Sequence, residues 1–305
     1  MNEKTQRKRI FGEGKKRDNI MKHFFVYSFL AIPIIHFLIF WVAVNAESLL
    51  LPFQDGETGA FTLNNFKRVF EAFKTGGEIN IAFRNSFIYW VTGIITSYVL
   101  ALSVSYFIWK KIFMYRVLTF LFMVPSMVSS VVLVAIYKNL ISTTGPIAVV
   151  YEALFDKAMP PLLYSNDTAT WTIAAFCMWT GFGMNVILYS GAFAKIPQEI
   201  VEAAQIDGAG FFKEFIYVDF PLILPTVLTL LIFEVSAVLL ASGPILLFTG
   251  GMYETTTISY WFYERVIVER DYGVSSAFGL LLSAVAIPLV FFVRHIANKV
   301  EVVEY

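Results

Sequence analysis

The chain alternates long apolar runs with shorter polar segments. Six runs reach about 20 residues or more, the length that a helix needs to cross about 30 Å of hydrocarbon. They cover residues 24–46, 86–109, 117–137, 169–193, 222–242 and 274–293. Because lipid offers no hydrogen-bonding partner, a spanning segment must satisfy its backbone groups internally, as a helix does. The pattern therefore predicts an all-α polytopic membrane protein with six transmembrane helices.

Positive charge is distributed unevenly between the segments that connect these runs. Fifteen Lys and Arg residues lie in segments 1–23, 110–116, 194–221 and 294–305, whereas eight lie in 47–85, 138–168 and 243–273. Positively charged segments collect on the cytoplasmic side of a membrane. We therefore expect both termini and the 194–221 loop to be cytoplasmic. The basic tail of residues 1–23 either only sets this orientation or also rests on anionic lipid.

Composition supports a membrane protein. Hydrophobic residues make up 57% of the chain and charged residues 15%, against about 25% charged in a typical soluble domain. The formal net charge of zero argues against nucleic acid as a partner. The single cysteine, Cys177, has no partner for an internal disulfide. The first apolar run is longer than a signal-peptide core, so we expect it to remain as an anchor.

Two of the long outer loops contain semi-apolar stretches. Residues 145–155 read GPIAVVYEALF and residues 260–269 read YWFYERVIVE. Both are expected to form short helices on the outer face, where they either seal the bundle or receive a partner protein.

The 194–221 loop is polar and patterned for a short helix. Pro197 suits a first helical turn, and Glu199 and Glu202 complement the positive end of the helix dipole. Ile200, Ala203, Ala204 and Asp207 share a face, and the two alanines let another protein approach the backbone closely. Gly208 suits the helix end. A second short helix is expected over 211–218, and Pro221 is expected to begin the next span.

The loop sequence resembles a known motif. EAAQIDGAGFFKEFIYVDFP is similar to the EAA loop of bacterial ABC importer permeases, in which EAA precedes a glycine and then I-x-L-P. Glu202, Ala203, Ala204, Gly208 and Pro221 stand at matching positions, with Val218 and Phe220 replacing the Ile and Leu. Further similarity to the carbohydrate-importer branch runs from about residue 64 to the last span, and VPSMVSSVVLVAIYKNLIS resembles the maltose and glycerol-phosphate type.

The resemblance implies a fold, partners and a mechanism. The fold would be that of a type I ABC importer permease in the bacterial cytoplasmic membrane. The partners would be a second permease subunit, a cytoplasmic ATPase dimer and an extracytoplasmic solute-binding protein. Glu202, Ala203, Ala204, Asp207, Gly208 and Pro221 would couple the chain to the ATPase. ATP and Mg would be used by that ATPase, and this chain would bind no cofactor and catalyse no reaction.

Charged side chains are almost absent from the predicted spans. Glu234 is the one acidic residue among them, and a buried charge in a membrane helix normally faces protein or a water-filled cavity. It either accepts hydrogen bonds from a sugar in the pathway or bonds a neighbouring helix as a neutral carboxyl. Asn185 is a weaker candidate of the same kind, and Trp179 and Tyr189 are candidates for stacking on a sugar ring.

Other function classes fit less well. The chain contains no P-loop, paired carboxylates or metal-ligand cluster that would indicate an ATPase, a membrane enzyme or a metal site. A secondary transporter would leave the 194–221 loop without a role. A permease for amino acids, peptides or ions stays open, because the EAA loop recognises the ATPase and not the transported solute.

Overall fold

The computed structural model describes residues 25–56 and 58–299, so the predicted basic tail lies outside it. The described residues are helical or irregular, apart from a bridge between Gln54 and Phe61. In chain order the helices are α1 Phe25–Phe53, α2 Asn64–Lys74, α3 Glu78–Trp109, α4 Tyr115–Met127, α5 Ser130–Leu140, α6 Pro146–Phe155, α7 Ala169–Phe193, α8 Gln198–Ile206, α9 Phe211–Ser236, α10 Ile245–Phe248, α11 Ile258–Tyr263 and α12 Tyr272–Ala297.

Five described helices are long and apolar enough to cross a membrane, namely α1, α3, α7, α9 and α12. The pair α4 and α5 makes a sixth span when it is counted as one. The polytopic all-helical architecture predicted from the sequence is therefore confirmed.

The third predicted span, 117–137, is not a single helix. Its residues belong to α4 and α5, which meet at 110° across Val128 and Ser129. Neither linking residue is helical, with ψ values of 144° and 134°. Pro125 stands just before this break inside α4, where proline removes a backbone donor and crowds the preceding turn. A proline inside a span is a signal for a bend, but it does not give the size of the bend.

Two other spans differ from the prediction in their bounds. α3 begins at Glu78 rather than at residue 86, so Arg84 and Asn85 lie in a helix and not in an outer loop. α9 begins at Phe211 and ends at Ser236, whereas the prediction placed this span at 222–242. Polar residues near the starts of both helices contact other protein segments, so the hydropathy pattern places these two starts too far into the apolar run.

The helix α7 lies at the centre of the bundle and packs against α3, α4 and α9. Buried side chains form three clusters, of which the inner cluster joins α3, α7, α8 and α9. It includes Tyr106, Tyr189, Phe193, Val201 and Ile223. By contrast, the most apolar stretch of α1 has no buried residue. α1 contacts α12 only near the carboxyl-terminal end of α1. The surface of α1 must therefore be covered by lipid or by another subunit.

The two short helices predicted for residues 145–155 and 260–269 are present. α6 covers most of the first stretch, and Pro146 stands in its first turn. α11 covers the start of the second and continues as a π-helical turn over Glu264–Val268.

Candidate functional site

The polar segment after α7 contains a short helix, α8, preceded by Pro197. The proline ring fixes φ at −60°, and ψ of 130° keeps Pro197 just outside the helix. Glu199 lies in the first turn, as predicted, where its carboxylate complements the helix dipole.

The end of α8 is a turn that requires Gly208. Its φ is +81°, a conformation that residues with a side chain rarely adopt. The Gly208 amide donates to the Gln205 carbonyl at 3.1 Å, and the Ala209 amide donates to the Ala204 carbonyl at 3.0 Å. These two bonds form a Schellman motif, which closes a helix and satisfies its last carbonyls. The prediction that Gly208 ends the helix is confirmed.

One face of α8 packs on the bundle and the other is exposed. Val201 is buried in the inner cluster, while Ile200 and Ala204 are half-buried. The exposed face carries Glu202, Ala203, Ile206, Asp207 and Gly208. The predicted docking residues thus divide, with Ala204 at the edge of the packed face. Ile206 was not among the predicted docking residues, but its side chain is 86% exposed beside acidic neighbours and belongs to the same face.

Pro221 stands in the first turn of the α-helical segment Phe220–Ser236, as predicted, but the span itself continues back to Phe211. The chain is already helical from Phe211, and the expected second short helix is the first part of α9. Pro221 has no amide proton to donate to the preceding turn. The helix just before it, Phe215–Asp219, is π-helical, a local adjustment that accommodates a missing bond. Its placement in α9 separates Pro221 from the exposed face of α8.

A second group of candidate residues meets inside the bundle. The Glu234 carboxylate of α9 packs over Gly93 of α3, where an added methyl group would lie 3.7 Å from Oε2. Also on α3, the Tyr98 ring lies 6.4 Å from the ring of Tyr189 on α7. The Tyr189 hydroxyl lies 3.3 Å from Ser97 Oγ. Glu234 and Tyr189, two of the four predicted pathway residues, thus pack against residues of α3 that are four positions apart, Gly93 and Ser97.

The other two predicted pathway residues lie elsewhere. Trp179 packs against Tyr137 and Phe176, with ring centroids 6.3 and 6.1 Å apart. Asn185 donates to the Gly181 carbonyl of its own helix at 3.3 Å. We call Glu234, Tyr98 and Tyr189 the Glu234 group. Neither Trp179 nor Asn185 contacts this group in the described structure, so the four predicted pathway residues do not form one site.

No group of three or more His, Cys, Asp and Glu residues within 25–56 and 58–299 is placed to hold a metal ion. Cys177 is largely buried beside Gly243, consistent with a packing role.

Comparison with known proteins identifies the family. The profile described as "binding-protein-dependent transport system inner membrane component" matches residues 91–302, well over half of the chain. The chain belongs to this family. The match includes α8 and the Glu234 group, and it confirms a multi-pass protein of the bacterial inner membrane.

Proteins similar to this chain include a sugar permease and ABC transporters of known structure. The "multiple sugar-binding transport system permease protein MsmF" of Streptococcus mutans is 26% identical over 271 residues, covering 86% of this chain and 91% of that protein. A solved bacterial ABC transporter involved in alginate import has a TM-score of 0.80 at 21% identity, covering 94% of this chain and 99% of that one. The alginate transporter in complex with an alginate pentasaccharide-bound periplasmic protein gives 0.78 at 20% identity, covering 92% and 96%. The ABC importer permease fold is thereby confirmed.

Two residues of this inner membrane component were missed by the sequence analysis. Tyr98 has a buried hydroxyl with no hydrogen-bond partner among the described residues, yet its sequence neighbours are ordinary for a span. Ile206 differs, because an apolar residue between Gln205 and Asp207 in a polar helix is a detectable signal for an exposed contact.

Proposed function

We propose that this inner membrane component is the permease subunit of an ATP-driven importer that carries a sugar or oligosaccharide. The observation that carries the proposal is α8, a short helix held rigidly to the bundle with an exposed face that lipid does not explain. The names of the sugar relative and of the alginate transporters support a carbohydrate substrate.

In this proposal α8 docks into a cytoplasmic ATPase, and both termini are cytoplasmic. Glu202, Ala203, Asp207 and Gly208 supply the contact, with Ala204 at its edge and Ile206 as an apolar anchor. ATP and Mg are bound and used by the ATPase dimer, and this chain performs no covalent chemistry. Closure of the ATPase dimer pulls on α8, which moves the bundle between outward and inward openings.

The transported sugar passes beside Glu234 and Tyr189. The carboxylate accepts hydrogen bonds from sugar hydroxyls, and the free hydroxyl of Tyr98 adds a further polar group on the same route. A second, homologous permease subunit forms the other wall, which accounts for the exposed apolar surface of this chain. An extracytoplasmic solute-binding protein delivers the sugar, as the complex of the alginate transporter with its periplasmic protein supports.

Reconstitution tests the proposal. The chain is purified with the second permease and the ATPase encoded beside it, placed in proteoliposomes, and supplied with its binding protein. The sugar is first found by thermal-shift screening of that binding protein. We expect uptake that requires ATP and the binding protein. Uptake by this chain without the ATPase would refute the importer assignment. A binding protein that takes only amino acids, peptides or ions would refute the carbohydrate assignment alone.

A further inference from the structure

A buried ionic cluster lies where α8 meets the ends of two spans. It consists of Lys110, which directly follows α3, with Glu214 and Asp219 of α9, and we name it the Lys110 cluster. The side chains of these three residues are 19%, 5% and 0% exposed, respectively. Neither the EAA motif nor the proposed sugar route includes Lys110.

Lys110 holds both carboxylates. Its Nζ forms an ion pair with Glu214, and it lies 3.6 Å from Asp219 Oδ2. Both Asp219 carboxylate oxygens are buried and accept no hydrogen bond from the described residues. The Lys110 ammonium is thus the charged partner that compensates Asp219. It also lies over the Trp109 ring, 4.2 Å from the centroid, in a cation–π contact.

The local helix geometry places the two carboxylates together. Glu214 and Asp219 are five residues apart, and an α-helix would turn them to different sides. The π-helical stretch Phe215–Asp219 has bonds between residues five apart, so both carboxylates face Lys110. Such π turns are frequent at functional sites.

The cluster also reaches α8. Gln205, in the last turn of α8, donates from Nε2 to Glu214 Oε2 at 3.3 Å. Glu214 therefore accepts from the docking helix with one oxygen and pairs with Lys110 through the other. A polar path runs from α8 through the start of α9 to the end of α3. Tyr106 packs on the apolar side of this path. The centroid of its ring lies 5.1 Å from that of Phe211 and 4.6 Å from that of Phe215.

A buried cluster of this kind is a poor source of stability. Removing charges from water is costly, and well-packed apolar residues are often as stable in the same place. Ion pairs and hydrogen bonds instead define the relative position of the helices that they join, because each bond forms only over a narrow range of distance and angle. Here, Lys110 at the end of α3 pairs with two carboxylates of α9, and one of those carboxylates also accepts a hydrogen bond from α8.

We propose that Lys110 is a positioning residue that clamps α8 to the inner ends of both α3 and α9. A pull on α8 then moves these two spans together and turns the docking motion into a change of the pathway. The inference rests on the proposed function, since it requires that an ATPase move α8.

A neutral cluster separates positioning from simple stability. Lys110→Met alone leaves two unpaired buried carboxylates and is expected to reduce assembly. The triple variant Lys110→Met, Glu214→Gln, Asp219→Asn removes all three charges at similar volume. We expect it to assemble with the ATPase and to hydrolyse ATP at the basal rate, while sugar transported per ATP falls about tenfold.

Two controls accompany the triple variant in proteoliposomes with the complete transporter. Lys110→Arg keeps the cation and is expected to retain most of the transport per ATP. Lys111→Met removes the neighbouring exposed lysine and is expected to behave as wild type. Normal transport per ATP in the triple variant would overturn the inference, and so would a failure of Lys110→Arg equal to that of the triple variant. If the triple variant does not assemble, Gln205→Leu cuts the link to α8 alone, and normal coupling in that variant would overturn the inference. Absence of ATP-dependent uptake by the wild type would instead refute the proposed function.

Discussion

The Asn85 side-chain amide donates a hydrogen bond to the Glu254 carbonyl at 2.6 Å, joining the first half of α3 to the loop between α10 and α11. Asn85 is fully buried, and the same amide donates to the Thr256 carbonyl at 2.8 Å. Glu254 has a φ of +52°, which is unusual for a residue with a side chain. Arg84 holds the Glu254 carboxylate at 3.1 Å. The strained loop is therefore fixed from two neighbouring positions of α3.

Asn85→Ala should destabilise the protein by about 1–3 kcal/mol, because the buried Thr256 carbonyl loses its donor and the Glu254 carbonyl keeps only the longer bond from Thr170 Oγ1. The midpoint of thermal unfolding in detergent measures the loss. Asn80→Ala, on the exposed side of the same helix, is the matched control and should leave the midpoint nearly unchanged. Equal midpoints for the two variants would show that the Asn85 bonds do not hold the loop.

Gly183→Ala should disrupt the contact between α7 and α4. A methyl group at residue 183 would overlap the Phe122 carbonyl, which is main chain and has little freedom to move. Gly181→Ala is the control, since nothing lies within 4 Å of its added methyl group. Both changes raise helix propensity equally, so the difference reports packing alone. We expect folded yield after purification to fall in the first variant only, and a normal yield of Gly183→Ala would contradict the close packing.

The architecture was largely predictable because it depends on local patterns. Apolar length determines where spans occur, and the left-handed turn at Gly208 follows from glycine being the residue that adopts it readily. Glu234 was also recognisable, since a charge inside an apolar run needs a polar environment. These signals lie within one segment and do not depend on which helices meet.

Features that depend on contacts between distant segments were not predictable. The Lys110 cluster joins residues more than one hundred positions apart, and each member alone resembles an ordinary charge at a membrane boundary. The sequence likewise gave no measure of the break at Val128 and Ser129, because Pro125 is compatible with both a mild kink and a sharp turn. Tyr98 differs from other tyrosines only in where the fold places its hydroxyl.

Glu234→Leu should reduce sugar uptake about tenfold, because a hydrogen bond to a charged group contributes about 1.5–3 kcal/mol. Glu234→Gln keeps a hydrogen-bonding carbonyl and should retain more activity. Uptake is measured per assembled complex in proteoliposomes, with thermal unfolding measured alongside. A lower unfolding midpoint with unchanged uptake would show that Glu234 serves helix packing and not the sugar route.

Gly208→Pro should abolish transport while leaving membrane insertion intact. Proline fixes φ near −65° and removes the amide that bonds the Gln205 carbonyl, so the Schellman turn cannot form. α8 would then lose its position relative to α9, and the exposed face would no longer meet the ATPase in the required orientation. Gly210→Ala is the control, because Gly210 has a φ of −76° and open space around its added methyl group. Copurification of the ATPase and sugar uptake are compared for both variants at equal membrane levels. Normal copurification and normal uptake in Gly208→Pro would show that α8 is not the docking element.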